Sequence, residues 1–172
     1  KEIQKPLNPS ISFSLKNAVT TTRVTASHSK KAGFTFLLDG NKKDTFNAKI
    51  GNLLQLASAT LPFIATHHLT IESSNTFPHS SGIASSASSM SALALCLEEI
   101  QQKVYNKVDY KLDMQSVSEL ARMGSGSAAR SLYGGWTIWG KTPLINESSD
   151  NYAIELKDIH PNFMQIANAI LI

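Results

Sequence analysis

The chain has 172 residues, the size of one ordinary domain, and 42% of them are hydrophobic while 17% are charged, a balance that excludes wholesale disorder. The net charge of +3 comes from scattered basic residues, which argues against a nucleic-acid interface. The single cysteine, Cys96, excludes a disulfide framework and a cysteine-based zinc site, and its apolar neighbours predict an inert buried thiol.

Neither a membrane span nor a signal peptide is visible in the sequence, because no apolar run reaches about 18 residues. We therefore predict a cytoplasmic protein without a membrane partner. The chain starts without Met and stops inside the apolar run Ile166–Ile172, which favours a fragment of a longer enzyme over a naturally short chain.

The first half of the chain predicts four strands and one helix. Polar and apolar residues alternate in Ser10–Leu15, as in a half-buried strand. Asp39-Gly40-Asn41 is a turn signal, and apolar residues recur at helical spacing in Phe46–Leu56. The further strand candidates are Thr20–Ala26, Phe34–Leu38 and His68–Glu72.

The second half begins with a predicted loop, Ser73–Gly82, and a long apolar helix, Ala84–Val104. Ser116 and Glu119 form a capping-box pattern that predicts a short helix through Arg122. Strands interleaved with helices, without strict alternation, favour an α+β domain. The remaining predictions are a short helix Ala128–Tyr133 stopped by Gly134, strands Trp136–Trp139 and Ala153–Leu156, and a segment Phe163–Ile172 that fits either a helix end or a strand.

A serine-rich loop is the first feature that indicates chemistry, with nine serines between Ser73 and Ser91. Gly82 and the small residues let the backbone approach a ligand, and the first turn of the following helix offers free N–H groups and the positive end of a dipole. Together they predict a phosphate site, to which Ser85 and Ser86 could add donors or reach a phosphate-bound Mg²⁺. The loop lacks the Gly-Lys-Ser/Thr of the Walker pattern, and a serine-rich helix cap without a ligand is the alternative.

A second glycine- and serine-containing loop, Gly124–Gly135, also leads into a predicted helix start. Arg130 follows Ser127 by three residues, so on a helix the two lie on the same side. A guanidinium there can hold a phosphate or carboxylate through two hydrogen bonds. Two anion sites in one chain fit an enzyme that binds a nucleotide and an anionic substrate; a structural turn with a surface arginine is the alternative.

The remaining polar and aromatic candidates indicate structure more than chemistry. The histidines show no metal-ligand spacing, and His79 is of interest only because it lies within the serine-rich loop. Trp136 and Trp139 are interpreted as core or edge aromatics, and Asp109 and Asp113 as members of a solvated connection.

The two loops carry a resemblance to a known family. Pro78–Ala87 resembles the Pro-x-x-x-Gly-Leu-Gly-Ser-Ser-Ala loop of the GHMP kinase superfamily, and Ala84 at the third-position glycine is typical of its mevalonate diphosphate decarboxylase branch. Asn75–Pro78 resembles the Asn-Asn-Phe-Pro of that branch. Gly124–Gly135 differs from the common form of the branch only at Ala129, where cysteine is frequent. The similarity extends over essentially all 172 residues.

This resemblance implies a fold: a GHMP-kinase-like N-terminal domain of the ribosomal protein S5 domain 2-like type, with a mixed sheet packed against helices, spanning residues 1–172. In the family, a first strand carries a Tyr-Trp-Gly-Lys substrate motif and the C-terminal half carries a catalytic aspartate. Neither is present in this chain, so we expect the fragment alone to be inactive.

The resemblance also implies an activity: ATP- and Mg²⁺-dependent decarboxylation of 5-diphosphomevalonate to isopentenyl diphosphate, by an enzyme that is commonly a homodimer. The alternatives are a mevalonate-derivative kinase or a phosphomevalonate decarboxylase of the same fold, and, from another class, a non-catalytic binding module. An aspartate in an Asp-x-Gly-Pro-Asn context elsewhere in the reading frame would favour the enzyme over the module.

The site residues implied by the resemblance fall into three groups. Those expected to bind ATP are Asn75, Pro78, His79, Ser80, Ser81, Gly82, Ala84, Ser85 and Ser86. Those expected to bind the substrate are Ser125, Gly126, Ser127, Ala128, Ala129, Arg130 and Lys49. The expected catalytic residues are Arg130, Ser127 and Ser86, with Arg130 the main electrostatic residue. Two departures from the family's pattern are His79-Ser80-Ser81 in place of Thr-Ala-Ala and Lys49 in place of arginine.

Overall fold

A computed structural model of the chain describes residues 4–78, 85–105 and 111–167. The strands in these ranges are β1 (Ser10–Phe13), β2 (Thr20–His28), β3 (Gly33–Leu38), β4 (Asn41–Lys42), β5 (His67–Asn75), β6 (Trp136–Trp139) and β7 (Ala153–Leu156). The α-helices are α1 (Asn47–Ala57), α2 (Ser85–Val104) and α3 (Met114–Gly124). Short 3₁₀ helices span Asp44–Phe46, Pro62–Ala65, Gly126–Arg130 and Pro161–Gln165.

The strands form two sheets. One is mixed, with the strand order β2-β5-β3-β4, in which β5 runs antiparallel to β2 and parallel to β3. The other is antiparallel, with the order β1-β6-β7. This arrangement, with three helices along the chain between and beside the strands, confirms the predicted α+β class.

The main hydrophobic core lies between the mixed sheet and the three helices. Helix α1 buries Ile50, Leu53, Leu54 and Ala57, which lie three or four residues apart and therefore on one face. That spacing is the reason why the sequence predicted this helix correctly. No helix in the described ranges is long and apolar enough to cross a membrane.

The turn predicted at Asp39-Gly40-Asn41 is confirmed. Asp39 and Gly40 have φ angles of 51° and 77°, and they connect β3 to β4 as the two central residues of a tight hairpin. Two consecutive positive φ angles are typical of a type I′ turn, and glycine adopts them without strain.

Helix α3 begins two residues before the predicted capping box. Asp113 is its N-cap: the carboxylate accepts a 3.1 Å bond from the Gln115 N–H and a 2.6 Å bond from the Ser116 hydroxyl. These bonds, led by that of Ser116, hold the pKa of Asp113 below its usual value. The prediction of a capping box at Ser116 is therefore wrong, and so is the predicted end at Arg122, because α3 continues to Gly124. Asp113 is a helix cap and not only part of a solvated connection. Asp109 lies outside the described residues.

Two further segments differ from the prediction. Ser73–Asn75 belong to β5 because they pair with Thr20–Thr22 of β2, so the predicted loop starts later. The predicted helix Ala128–Tyr133 is instead the 3₁₀ helix Gly126–Arg130. The Ala128 carbonyl accepts a 3.0 Å bond from the Ser131 N–H, three residues on, which is the 3₁₀ pattern. The carbonyls of Ala128 and Ala129 also accept hydrogen bonds from the hydroxyls of Ser91 and Ser118.

Gly140, directly after β6, provides a stability prediction. Its φ is 108°, and a Cβ there would lie 2.6 Å from the Cα of Pro9. We expect Gly140→Ala to lower the free energy of unfolding by about 2 kcal/mol, from backbone strain and the clash with a fixed chain. Urea denaturation measures this. The matched control is Gly134→Ala, where an added Cβ would meet nothing within 4 Å and where we expect a change below about 0.5 kcal/mol. Equal losses in the two variants would contradict the prediction.

Candidate functional site

A cleft of about 460 Å³ lies between helix α2, the connection from β1 to β2 and the 3₁₀ helix Gly126–Arg130. Helix α2 contributes Ser88 and Ser91, and the 3₁₀ helix contributes Ser127 and Arg130. The helix that follows the serine-rich loop and the second predicted anion site therefore meet at one cleft. The other polar residues that line it are Ser12, Ser14, Thr20, Ser131 and Thr137.

Arg130 is the cationic residue of this cleft and is half-buried. Its Nη1 donates a 3.0 Å hydrogen bond to the hydroxyl of Ser10, and its Cζ lies 5.8 Å from the ring centroid of Trp139. Burial lowers the pKa of the Arg130 guanidinium. The group nevertheless stays charged at neutral pH, because the pKa of an arginine lies far above 7. Between described residues, ion pairs form only at Lys103–Glu99 and Arg122–Glu119, so no carboxylate in those ranges neutralises Arg130.

Some residues of the segment around Arg130 line the cleft, and the others hold that segment in place. Ser127 and Arg130 line the cleft from the same side, because residues three apart are eclipsed on a 3₁₀ helix. The other predicted substrate residues lie behind this surface. Ser125 is the C-cap of α3, Ala128 and Ala129 are fully buried, and the Gly126 N–H donates to the side-chain carbonyl of Gln4.

Two buried serines that the sequence analysis missed fasten this segment. Ser91 of α2 donates a 2.6 Å bond to the Ala128 carbonyl, and Ser118 of α3 donates a 2.9 Å bond to the Ala129 carbonyl. Ser118 also accepts a bond from the Ala153 N–H of β7. The sequence could have identified them, because each serine lies on the apolar face of a predicted helix, where a buried hydroxyl needs a hydrogen-bond partner.

Arg122 of α3 is the other residue that the sequence analysis missed. It is only 1% exposed, and its guanidinium donates to the carbonyls of Gln4 and Asn151 and to the carboxylate of Glu119. It therefore ties helix α3 to the N-terminal segment and to the loop before β7. No local pattern identifies it, because its two carbonyl partners are distant in sequence.

The side chain of Lys49, a residue of α1, contacts the start of α2 and does not line the cleft. Its Nζ donates to the hydroxyl of Ser86 in the first turn of α2, and burial lowers the pKa of its ammonium group. The structure thus brings the predicted substrate residue Lys49 to the predicted nucleotide residue Ser86. A cation beside the positive end of a helix dipole is suited to a bound anion.

Asn75 supports the same end of α2 from the sheet. Its side-chain oxygen accepts a 2.6 Å bond from the Thr20 hydroxyl, which lies 2.7 Å from the hydroxyl of Ser88. This chain of bonds joins β5, β2 and α2. Pro78 is exposed at the end of the first described range, and the predicted ATP-binding residues His79, Ser80, Ser81, Gly82 and Ala84 lie outside the described residues.

The described histidines contact structural partners. His67 Nδ1 lies 2.9 Å from the Phe63 carbonyl, and His68 Nε2 lies 3.1 Å from the Thr35 hydroxyl. Cys96 is half-buried, and its pKa is raised mainly by burial, which keeps the thiol in its unreactive protonated form.

The donors at the start of α2 suit an anion such as phosphate better than a metal ion held by protein ligands. In the parts of the chain that the structure describes, no group of three or more His, Cys, Asp or Glu could hold a metal ion. A magnesium ion here would depend on phosphate oxygens, with Ser85 or Ser86 adding a hydroxyl. The helix end, Lys49 and the serine hydroxyls are donors that suit the phosphates themselves.

Comparison with known proteins gives one family. Residues 1–153 match a model described as the diphosphomevalonate decarboxylase-like N-terminal domain. The diphosphomevalonate decarboxylase mvd1 of Aspergillus fumigatus is 33% identical over 164 residues, which is 88% of this chain and 39% of the relative. The chain thus spans less than half the length of the curated relatives that it matches.

Solved structures agree with this match. The mevalonate diphosphate decarboxylase of Staphylococcus aureus is 33% identical, with a TM-score of 0.74 over 92% of this chain and 44% of that one. A structure of MDDEF in complex with MVAPP, AMPPCP and magnesium is 31% identical, with a TM-score of 0.72 over 91% of this chain and 44% of that one.

Proposed function

The chain belongs to the diphosphomevalonate decarboxylase-like family, as its two loops predict, and on this basis we propose that it forms the N-terminal ATP- and substrate-binding domain of an enzyme that converts 5-diphosphomevalonate to isopentenyl diphosphate. The domain spans residues 1–172, while the strand with the Tyr-Trp-Gly-Lys motif and the C-terminal domain are supplied by the rest of the full-length protein. The 172-residue chain alone does not turn over.

One observation carries this proposal. Arg130, with no carboxylate partner among the described residues, shares a cleft with Ser127 and the first turns of α2. A half-buried charge without a counter-charge favours an anionic ligand, since burial without one is costly. A site for the phosphorylated substrate beside a site for nucleotide phosphates fits phosphoryl transfer between them.

ATP supplies the phosphoryl group that turns the tertiary 3-hydroxyl of the substrate into a leaving group. The chain's own residues bind and orient. Arg130 and Ser127 hold the diphosphate or carboxylate end of the substrate, and the permanent charge of Arg130 stabilises the negative charge that is redistributed when phosphate and CO₂ leave. Holding the substrate in one orientation contributes a large part of the rate.

The N-terminal end of α2 serves the nucleotide. In this proposal its N–H groups and the hydroxyls of Ser85 and Ser86 bind phosphate oxygens. The Lys49 ammonium contacts the Ser86 hydroxyl and positions it. Asn75 acts indirectly, by fixing Thr20 and thereby Ser88. The family resemblance also assigns ATP binding to Pro78, His79, Ser80, Ser81, Gly82 and Ala84.

The complex of a structural neighbour with MVAPP, AMPPCP and magnesium supports ATP, Mg²⁺ and a small-molecule substrate for this protein. Our proposal includes a cytoplasmic homodimer that binds neither nucleic acid nor membrane.

The test is a product analysis. The full-length protein is given ATP, Mg²⁺ and 5-diphosphomevalonate, and the products are identified by mass spectrometry. We expect isopentenyl diphosphate, ADP, phosphate and CO₂. A stable 3-phosphorylated product would make the protein a kinase of the same fold, turnover of the monophosphate alone would make it a phosphomevalonate decarboxylase, and no ATP-dependent product would favour a binding module. Each of these three results would overturn the proposed activity.

A further inference from the structure

Trp139 and Ser10 face each other across two strands and both contact Arg130. They are directly paired in the antiparallel register of β6 and β1. Ser10 accepts the 3.0 Å hydrogen bond from Arg130 Nη1, and the Trp139 ring lies under the guanidinium at 5.8 Å from Cζ. One strand pair therefore supplies both described contacts of the Arg130 side chain.

The indole of Trp139 is itself held in place. The side chain is 8% exposed, and its Nε1–H donates a 3.1 Å bond to the carbonyl of Asp150. A Cβ on Gly126 would lie 3.1 Å from the ring edge, so the 3₁₀ helix packs directly against the indole. A ring fixed at its edge and at its nitrogen gives the guanidinium a stable surface.

The chemistry of these two partners distinguishes them from an ion pair. An aspartate or glutamate would orient Arg130 but would also neutralise it and compete with an anionic substrate. An aromatic face attracts the cation through its quadrupole, and a serine hydroxyl accepts a hydrogen bond, while neither carries a negative charge. Such partners orient the guanidinium and leave its charge available to a ligand.

We propose that Trp139, together with Ser10, is a positioning residue that holds the Arg130 guanidinium towards the cleft without neutralising it. Trp139 does not touch the substrate and acts through Arg130. The effect on turnover rests on the function proposed above, whereas the effect on the arginine and on anion binding does not.

A double-mutant cycle in the full-length protein tests this. We expect Trp139→Leu to lower kcat/KM about tenfold, and Trp139→Phe, which keeps an aromatic face, to lower it less than threefold. In an Arg130→Ala background, Trp139→Leu is expected to have no further effect, because its action passes through the missing guanidinium. Full additivity of the two losses would overturn the proposal.

Trp136→Leu is the matched control. Trp136 lies on the same strand, but its ring contacts are Phe13 and Phe163. The control therefore removes an indole from β6 without touching Arg130, and we expect kcat/KM to change less than twofold. A loss equal to that of Trp139→Leu would assign the effect to the sheet and would contradict the positioning role.

A second measurement does not depend on the enzymatic activity. In protein labelled with ¹⁵N-arginine, the ring current of Trp139 is expected to displace the Arg130 side-chain resonances, and Trp139→Leu is expected to remove that displacement. Calorimetry with inorganic pyrophosphate is expected to show several-fold weaker binding in Trp139→Leu. If the resonances shift and pyrophosphate binding weakens as expected but the protein has no decarboxylase activity, only the proposed function is refuted and the positioning role stands. Unchanged resonances, unchanged pyrophosphate affinity, or no pyrophosphate binding by the unmodified protein would overturn the positioning role.

Discussion

Replacement of Arg130 by alanine is expected to lower kcat of the full-length enzyme by about 10²- to 10³-fold, the loss typical of removing one preorganised electrostatic contact to a transition state. The half-buried guanidinium is the only cationic group that lines the cleft of about 460 Å³ among the described residues. Steady-state kinetics with ATP and 5-diphosphomevalonate would measure the effect. We expect KM to change less than kcat, because charge redistribution is largest in the transition state.

Two variants control this prediction. Arg130→Lys keeps the positive charge but not the planar fork, and we expect it to recover only part of the rate. Arg23→Ala removes an exposed arginine on β2, outside the residues that line the cleft, and we expect near-normal kinetics. An Arg130→Ala enzyme within threefold of the unmodified rate would refute the assigned role.

Replacement of Arg122 by alanine is expected to lower the free energy of unfolding by about 3 kcal/mol, because it removes a buried cation together with its partners' hydrogen bonds. The side chain is 1% exposed, and the Gln4 and Asn151 carbonyls would lose a donor. Urea denaturation followed by circular dichroism would measure the loss.

The matched control is Lys103→Ala. Lys103 pairs with Glu99 at 3.9 Å on the surface of α2, with the two side chains 79% and 49% exposed. A screened pair of this kind contributes little, so we expect a change below about 0.5 kcal/mol. A loss below about 1 kcal/mol in Arg122→Ala would show that the chain repacks around the missing guanidinium.

Arg122 also links stability to the site. It holds the backbone of Gln4, whose side-chain carbonyl accepts the Gly126 N–H behind Ser127. A variant that weakens this support displaces the 3₁₀ helix as well as helix α3. The sequence analysis named the glycine and serine of this loop but not the residues that position them.

Local periodicity accounted for most of the secondary structure. Alternation predicted β1, helical spacing predicted α1, and the long apolar run predicted α2 and its end at Val104; the predicted first residue of α2, Ala84, lies outside the described residues. It failed at the start of α3, where two nearby residues could each cap the helix. Asp113 is the cap, not Ser116, because its carboxylate accepts hydrogen bonds from the Gln115 N–H and the Ser116 hydroxyl.

The two loop motifs identified the family and indicated Ser127 and Arg130 as site residues. A motif can be recognised without the fold because its residues are neighbours in the sequence. The partners of these residues are not encoded locally. Lys49 meets Ser86 from 37 positions away, Arg122 meets Gln4 from 118, and Arg130 meets Ser10 from 120. Such contacts form only when strands and helices pack, since burial brings distant polar groups together and then requires each to find a partner. The sequence therefore determined the family and the chemical groups of the candidate site, whereas tertiary packing decided which neighbours orient them.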